Sequence, residues 1–153
     1  MRRPMNPFDL RAAVFAPHAQ HVVLIHFPIA LFIAGVAFDW MALWKGSRTL
    51  IAAAYYNLLG AALTSVPAIT TGLLAWHFQL GGARLKGNLL LHLVLALVSS
   101  AGIWLVWWQH FRARSADRQG ASKIGVAAEI AAVFLVALTG HVGGFLSGVN
   151  GPG

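Results

Sequence analysis

The stretch His21-Val-Val-Leu-Ile-His-Phe-Pro-Ile-Ala-Leu-Phe32 decides how this chain is read. It places two imidazoles and a proline at the mouth of an apolar run that continues to Trp44. A run of about 20 apolar residues is long enough for a helix to cross a bilayer. A histidine in hydrocarbon is costly unless something pairs with it, so an intramembrane ionisable residue is a functional candidate by default.

The surrounding composition agrees with a membrane setting. Of 153 residues, 58% are hydrophobic and 10% charged, against about 25% charged in an ordinary soluble domain; the mean hydropathy is +0.70. There are no cysteines, which excludes disulfides, iron–sulfur clusters, covalent c-type haem attachment and thiolate metal sites. The formal charge of +7 comes from eleven Lys and Arg against Asp9, Asp39, Asp117 and Glu129. The basic residues sit in short segments between apolar runs without interleaved aromatics, a pattern of topology signals and lipid headgroup contacts rather than nucleic-acid binding. The N-terminus has Arg2 and Arg3 but no apolar stretch directly behind them, so it is not expected to be a cleaved signal peptide.

Four apolar runs predict spans at 21–44, 50–80, 88–108 and 124–146. Short links make an all-α, antiparallel four-helix bundle in the membrane, a single domain over residues 1–153. A short interfacial helix is expected near residues 8–15. Pro67 should kink the second span, with Thr64, Ser65, Thr70 and Thr71 available to satisfy the loosened backbone. Residues 109–123 read as the one clearly soluble stretch, and no internal repeat stands out. Let side A be the face with both termini. Side A then carries Arg2, Arg3, Arg11, Arg84 and Lys86, of which only the last two lie close to a span, against Lys45, Arg48, Arg112, Arg114, Arg118 and Lys123 on side B. By the positive-inside rule side B is cytoplasmic and side A periplasmic, in a bacterial inner membrane.

Depth then orders the histidines. At 1.5 Å per residue, His26, His92 and His141 fall roughly 7–9 Å below side A, and His77 a turn shallower. Each of the first three stands on a stripe of small residues: Ala30, Ala34 and Ala37; Ala96 and Ser99; Ala137, Gly144 and Gly148. Such stripes serve close helix packing, and they also leave room for a flat macrocycle. Imidazoles without cysteine or carboxylate at their level suit haem b, which needs one or two neutral histidines and a slot. Asn88, Thr70 or Thr139 could orient the rings. His26, His92, His141 and His77 are therefore the expected ligands of one haem, or of two side by side. His21 could cap, titrate or join the site. His18 and His110 read as inert interfacial residues, Asp39 and Glu129 as helix-end residues set toward side B, and the tryptophans as interfacial anchors.

The run His21-x4-His26-Phe-Pro-Ile-Ala resembles the signature of a family of small bacterial membrane proteins of unknown function with about four spans. That family opens with a His-Pro pair followed by His-Phe-Pro-Ile-Ala, has a histidine near the start of its third span, and closes with Thr-Gly-His/Tyr-x-Gly-Gly. His92 and Thr139-Gly-His-Val-Gly-Gly144 are similar to the later parts. Here Val22 replaces the usual proline, and the tail lacks the usual aromatic. The family's occasional association with c-type cytochrome domains implies redox work at the outer face.

The expected function is a haem b electron-transfer subunit of a respiratory complex, non-catalytic itself. It would pass electrons between a quinone or partner subunit and a periplasmic c-type cytochrome. The alternative is a cofactor-free assembly or scaffold subunit of a larger membrane complex. A transporter is less well served, because four spans without a midplane carboxylate or repeated half offer little to coordinate a moving ion.

Overall fold

The computed structural model describes residues 17–115 and 123–146. The expected helix at residues 8–15 and the glycine-rich tail lie outside the described residues. Among the described residues five helices follow in order: α1 Pro17–Leu24, α2 His26–Lys45, α3 Arg48–Gln79, α4 Asn88–Ser115 and α5 Lys123–Leu146. The stretches Gln20–Lys45, Arg48–Phe78, Gly87–Arg114 and Gly125–Leu146 are each long and apolar enough to span a membrane. The chain is an all-α membrane bundle, as its hydropathy predicts.

The first span is broken where its sequence demands it. Pro28 has no amide to give the Leu24 carbonyl, and its ring crowds that carbonyl. Accordingly α1 ends at Leu24 and α2 starts at His26. The His26 ring closes the gap by donating Nδ1–H to the Val22 carbonyl at 2.6 Å. Pro67 acts differently, because α3 runs through it unbroken. The neighbouring hydroxyls do not turn to Leu63, whose carbonyl Pro67 leaves without an amide. Thr64, Ser65, Thr70 and Thr71 instead donate to Gly60, Ala62, Val66 and Pro67, three or four residues back. Such back-bonding is the usual resort of a hydroxyl on a membrane helix.

Tight connections make antiparallel neighbours. Gly46 ends α2 in the left-handed conformation at φ 62°, its amide reaching the Ala42 carbonyl, and Ser47 starts α3. The third span overruns the expected boundary at residue 108. No glycine or proline interrupts residues 109–115, and α4 continues through them to Ser115. His110, Arg112 and Arg114 are thus helical, and the Arg114 guanidinium stacks over Tyr55 at 4.8 Å. The core includes Phe32, Leu58, Val106 and Val136, while Leu, Ile, Val and Phe side chains such as Ile33, Leu63, Leu97 and Phe134 face outward.

The packing exposes a repeat that the sequence conceals. His21 donates Nδ1–H to the Ala68 carbonyl at 3.1 Å and lies over Gly72, where an added Cβ would come within 2.9 Å of the ring. His92, 71 residues later, faces the Thr139 main chain and lies over Gly143, where a Cβ would come within 3.0 Å. Thr139 and Gly143 follow Ala68 and Gly72 by the same interval of 71. The interval also pairs buried positions: Pro28 with Ser99, Phe32 with Ile103, Ala54 with Gly125, Leu58 with Glu129, Ala61 with Ala132, Ser65 with Val136. The chain is therefore two like helical hairpins, both running from side A to side B and back. This corrects the expectation of no repeat.

Candidate functional site

Two levels of the bundle carry ionisable side chains. The level toward side B is the more tightly built. Asp39 lies six residues before the end of α2, His110 five before the end of α4, and Glu129 six after the start of α5. That puts all three about 8–9 Å inside the side B helix ends. Their helical rotations turn them to one point. His110 Nε2 meets Glu129 Oε1 at 2.9 Å, and His110 Nδ1 stands 3.9 Å from Asp39 Oδ1. The side chains of Asp39 and Glu129 are 1% exposed and that of His110 is 11% exposed.

Trp40 completes the constellation by donating its indole N–H to Glu129 Oε2 at 2.7 Å. Glu129 thus has one oxygen toward Trp40 and one toward His110. Asp39 and Glu129 sit beside each other, yet neither Asp39 oxygen has a hydrogen-bond partner of good geometry. A buried carboxylate is normally hydrogen-bonded or paired, because its desolvation is otherwise uncompensated. Among the described residues, this is the one group in which three His, Asp or Glu side chains bring ligand atoms within 4.8 Å of one another.

Three sequence expectations are corrected here. Asp39 does not reach to the interface but is fully buried, and so is Glu129. His110 is not an inert interfacial residue, and Trp40 is more than an anchor. The signal was present: counted from side B, the three residues share a depth, just as the histidines do counted from side A.

At the side A level, the four expected ligands stand apart from one another in character. His26 is exposed on α2, with Nδ1 held by the Val22 carbonyl of α1. His77 is exposed and edge-on to Phe78 at 4.9 Å, and His141 is exposed and edge-on to Phe145 at 5.1 Å. His92 is half-buried between α4 and α5, with Nδ1 buried and lacking a hydrogen-bond partner. No three of these four meet within 4.8 Å. The small stripes divide likewise: Ala30 and Ala37 are exposed beside His26, whereas Ser99 below His92 is buried and bonded to Thr139 at 2.7 Å. His21, not among the expected ligands, makes the counterpart of the His92 contact.

A family model described as "Predicted membrane protein (DUF2231)" matches residues 17–151. The chain belongs to that family. The match takes in both hairpins of the DUF2231 chain, the histidine level and the Asp39–His110–Glu129 cluster alike. Comparison with curated proteins and with solved structures returns no match.

Proposed function

We propose that this protein is a haem b-binding electron-transfer subunit of the bacterial inner membrane, with its histidine level on the periplasmic side. It would pass electrons between a quinone or partner subunit and a periplasmic c-type cytochrome. The observation that carries the reading is the state of two imidazoles. His26 spends Nδ1–H on the Val22 carbonyl, which leaves Nε2 with its lone pair on an exposed ring. His92 keeps Nδ1 buried without a partner. An imidazole whose second nitrogen is fixed by a carbonyl, as at His26, is the form that ligates metal best.

The donor set fits haem b, since neutral imidazole is its ordinary axial ligand. His26 and His92 are the leading candidates to hold it, with His141 and His77 at the same rim. When bound, haem iron supplies a one-electron couple. The chain's own part is to fix the His26 tautomer through the Val22 carbonyl and to seat the His92 ring against the Thr139 main chain, over Gly143. Because His26, His77 and His141 are exposed on the single bundle, the covering wall comes from a neighbouring subunit or a second copy. The positive charges Lys45, Arg48, Arg112 and Arg114 on side B support the orientation.

The test is an absorption spectrum of detergent-solubilised protein from haem-replete cells, oxidised and dithionite-reduced. A b-type spectrum that bleaches in His26→Ala or His92→Ala supports the reading. A colourless wild-type protein ends it.

A cofactor-free scaffold is the second reading, and it has its own observation. His21 and His92 make matching contacts to a carbonyl and a glycine, which is what packing residues do. Full tolerance of His→Gln at positions 26, 77, 92 and 141, with co-purification of larger membrane subunits, would favour it.

A further inference from the structure

We infer that Asp39, His110 and Glu129 form a binding site for one divalent transition-metal ion of the zinc class, separate from the histidine level and independent of the haem reading.

Charge gives the first reason. Two carboxylates and a neutral imidazole leave two negative charges in the low-dielectric bundle, and an isolated buried carboxylate is too costly to stand unbalanced. One dication brings the cluster to neutrality. The unsatisfied atoms give the second reason. Both Asp39 oxygens are buried and without hydrogen-bond partners, so the protein's own donors leave this carboxyl unsatisfied inside the bundle.

Geometry gives the third reason. The 3.9 Å between His110 Nδ1 and Asp39 Oδ1 is a gap that an ion with bonds of about 2.0–2.2 Å to nitrogen and oxygen can bridge. Each of the three residues offers a ligand atom within 4.8 Å of the others. Glu129 Oε1 is set against His110 Nε2, the other ring nitrogen, so an ion held at Nδ1 and Asp39 would draw Glu129 off that contact. The donors, one nitrogen and two carboxylates, are borderline to hard. They suit zinc, manganese or iron over soft ions, and over magnesium with its demand for six oxygens. Trp40 holds Glu129 by its second oxygen, the outer bond that orients a ligating carboxylate. His110 retains slight exposure near the side B end of α4, which gives an ion a way in.

The repeat adds a structural meaning. His110 stands 71 residues after Asp39, so the two occupy equivalent places in the two hairpins. Side chains at equivalent places that approach each other lie near the axis relating the halves. A bound ion would tie α2 of the first hairpin to α4 and α5 of the second.

The competing way to neutralise the cluster is with two protons, one on His110 and one shared by the carboxyls. The experiment separates them. Full-length protein in detergent is stripped with chelator and dialysed against Co2+, then against Zn2+, and bound metal is counted. We expect one ion per chain, a Co2+ ligand-field spectrum displaced by Zn2+, and a thermal midpoint raised by Zn2+ but not by Mg2+. Asp39→Asn and His110→Ala should each weaken binding at least tenfold, whereas Leu97→Ala and Phe134→Ala on the outward face should leave it unchanged. Should the cluster variants fail to fold, the selective Zn2+ stabilisation of the wild type still decides the matter. Wild-type protein that binds no Co2+ or Zn2+, or binding indifferent to Asp39→Asn, overturns the inference in favour of protons. A colourless protein that still binds Co2+ through Asp39 would end the haem reading and leave this one standing.

Discussion

Trp40 and Glu129 are 89 residues apart in the chain and joined by a 2.7 Å hydrogen bond from indole N–H to carboxylate. The bond links the first hairpin to the last helix at the level where the bundle holds its charges. Trp40→Phe keeps most of the ring and removes the donor. It should lower stability by about 1.5–3 kcal/mol, the usual worth of a hydrogen bond to a charged group. Thermal unfolding in detergent checks this, and an unchanged midpoint would show that the bond carries no weight.

The two glycines beneath the histidines should respond alike. A methyl at Gly72 meets the His21 ring at 2.9 Å, and one at Gly143 meets His92 at 3.0 Å. Gly72→Ala and Gly143→Ala should each destabilise by about 1–3 kcal/mol through overpacking. His21→Ala should relieve the first and not the second, and His92→Ala the reverse. Relief that ignores this pairing would contradict the equivalence of the two contacts.

His26 and Pro28 should be energetically coupled. The His26 ring serves the Val22 carbonyl at a helix break that Pro28 imposes. With Pro28→Ala the helix can close, and backbone amides reach those carbonyls instead. A double-mutant cycle should therefore give a coupling of at least about 0.5 kcal/mol. Additive effects of His26→Ala and Pro28→Ala would count against this account of the motif.

Arg114 extends α4 beyond the tryptophans by lying over Tyr55 and Tyr56 at 4.8 and 5.6 Å. Arg114→Gln should cost about 0.5–1 kcal/mol, the range for an exposed cation–π contact, and Arg114→Lys less. Stability measurements on both variants decide whether charge or only bulk matters there.

What the sequence made legible was whatever rests on local hydropathy. The four spans and their antiparallel order follow from run lengths and short links, whereas the break at Pro28 was not foreseen, and the proline expected to disturb its helix, Pro67, leaves α3 unbroken. The end of the third span was set too early, because Trp104, Trp107 and Trp108 mark an interface without stopping a helix. Asp39, His110 and Glu129 were readable as polar residues at one depth. Their convergence depends on how α2, α4 and α5 rotate about their axes, which weakly amphipathic membrane helices do not announce. The repeat hid because its chemistry diverged: His26 has Leu97 as counterpart, Pro28 has Ser99, and Leu58 has Glu129. Only scattered identities such as His21 with His92 and Gly72 with Gly143 survive.

Dividing the charged cluster between the two hairpins has a consequence for biogenesis. Asp39 emerges from the ribosome in the first hairpin, while both of its neighbours, His110 and Glu129, emerge in the second. Insertion scales charge most for an aspartate at the helix centre and less toward the ends, and Asp39, six residues from the end of α2, enters the membrane before either neighbour is made. Only completion of the second hairpin brings His110 and Glu129 up to that acid, so the charged level is assembled last, across the two halves.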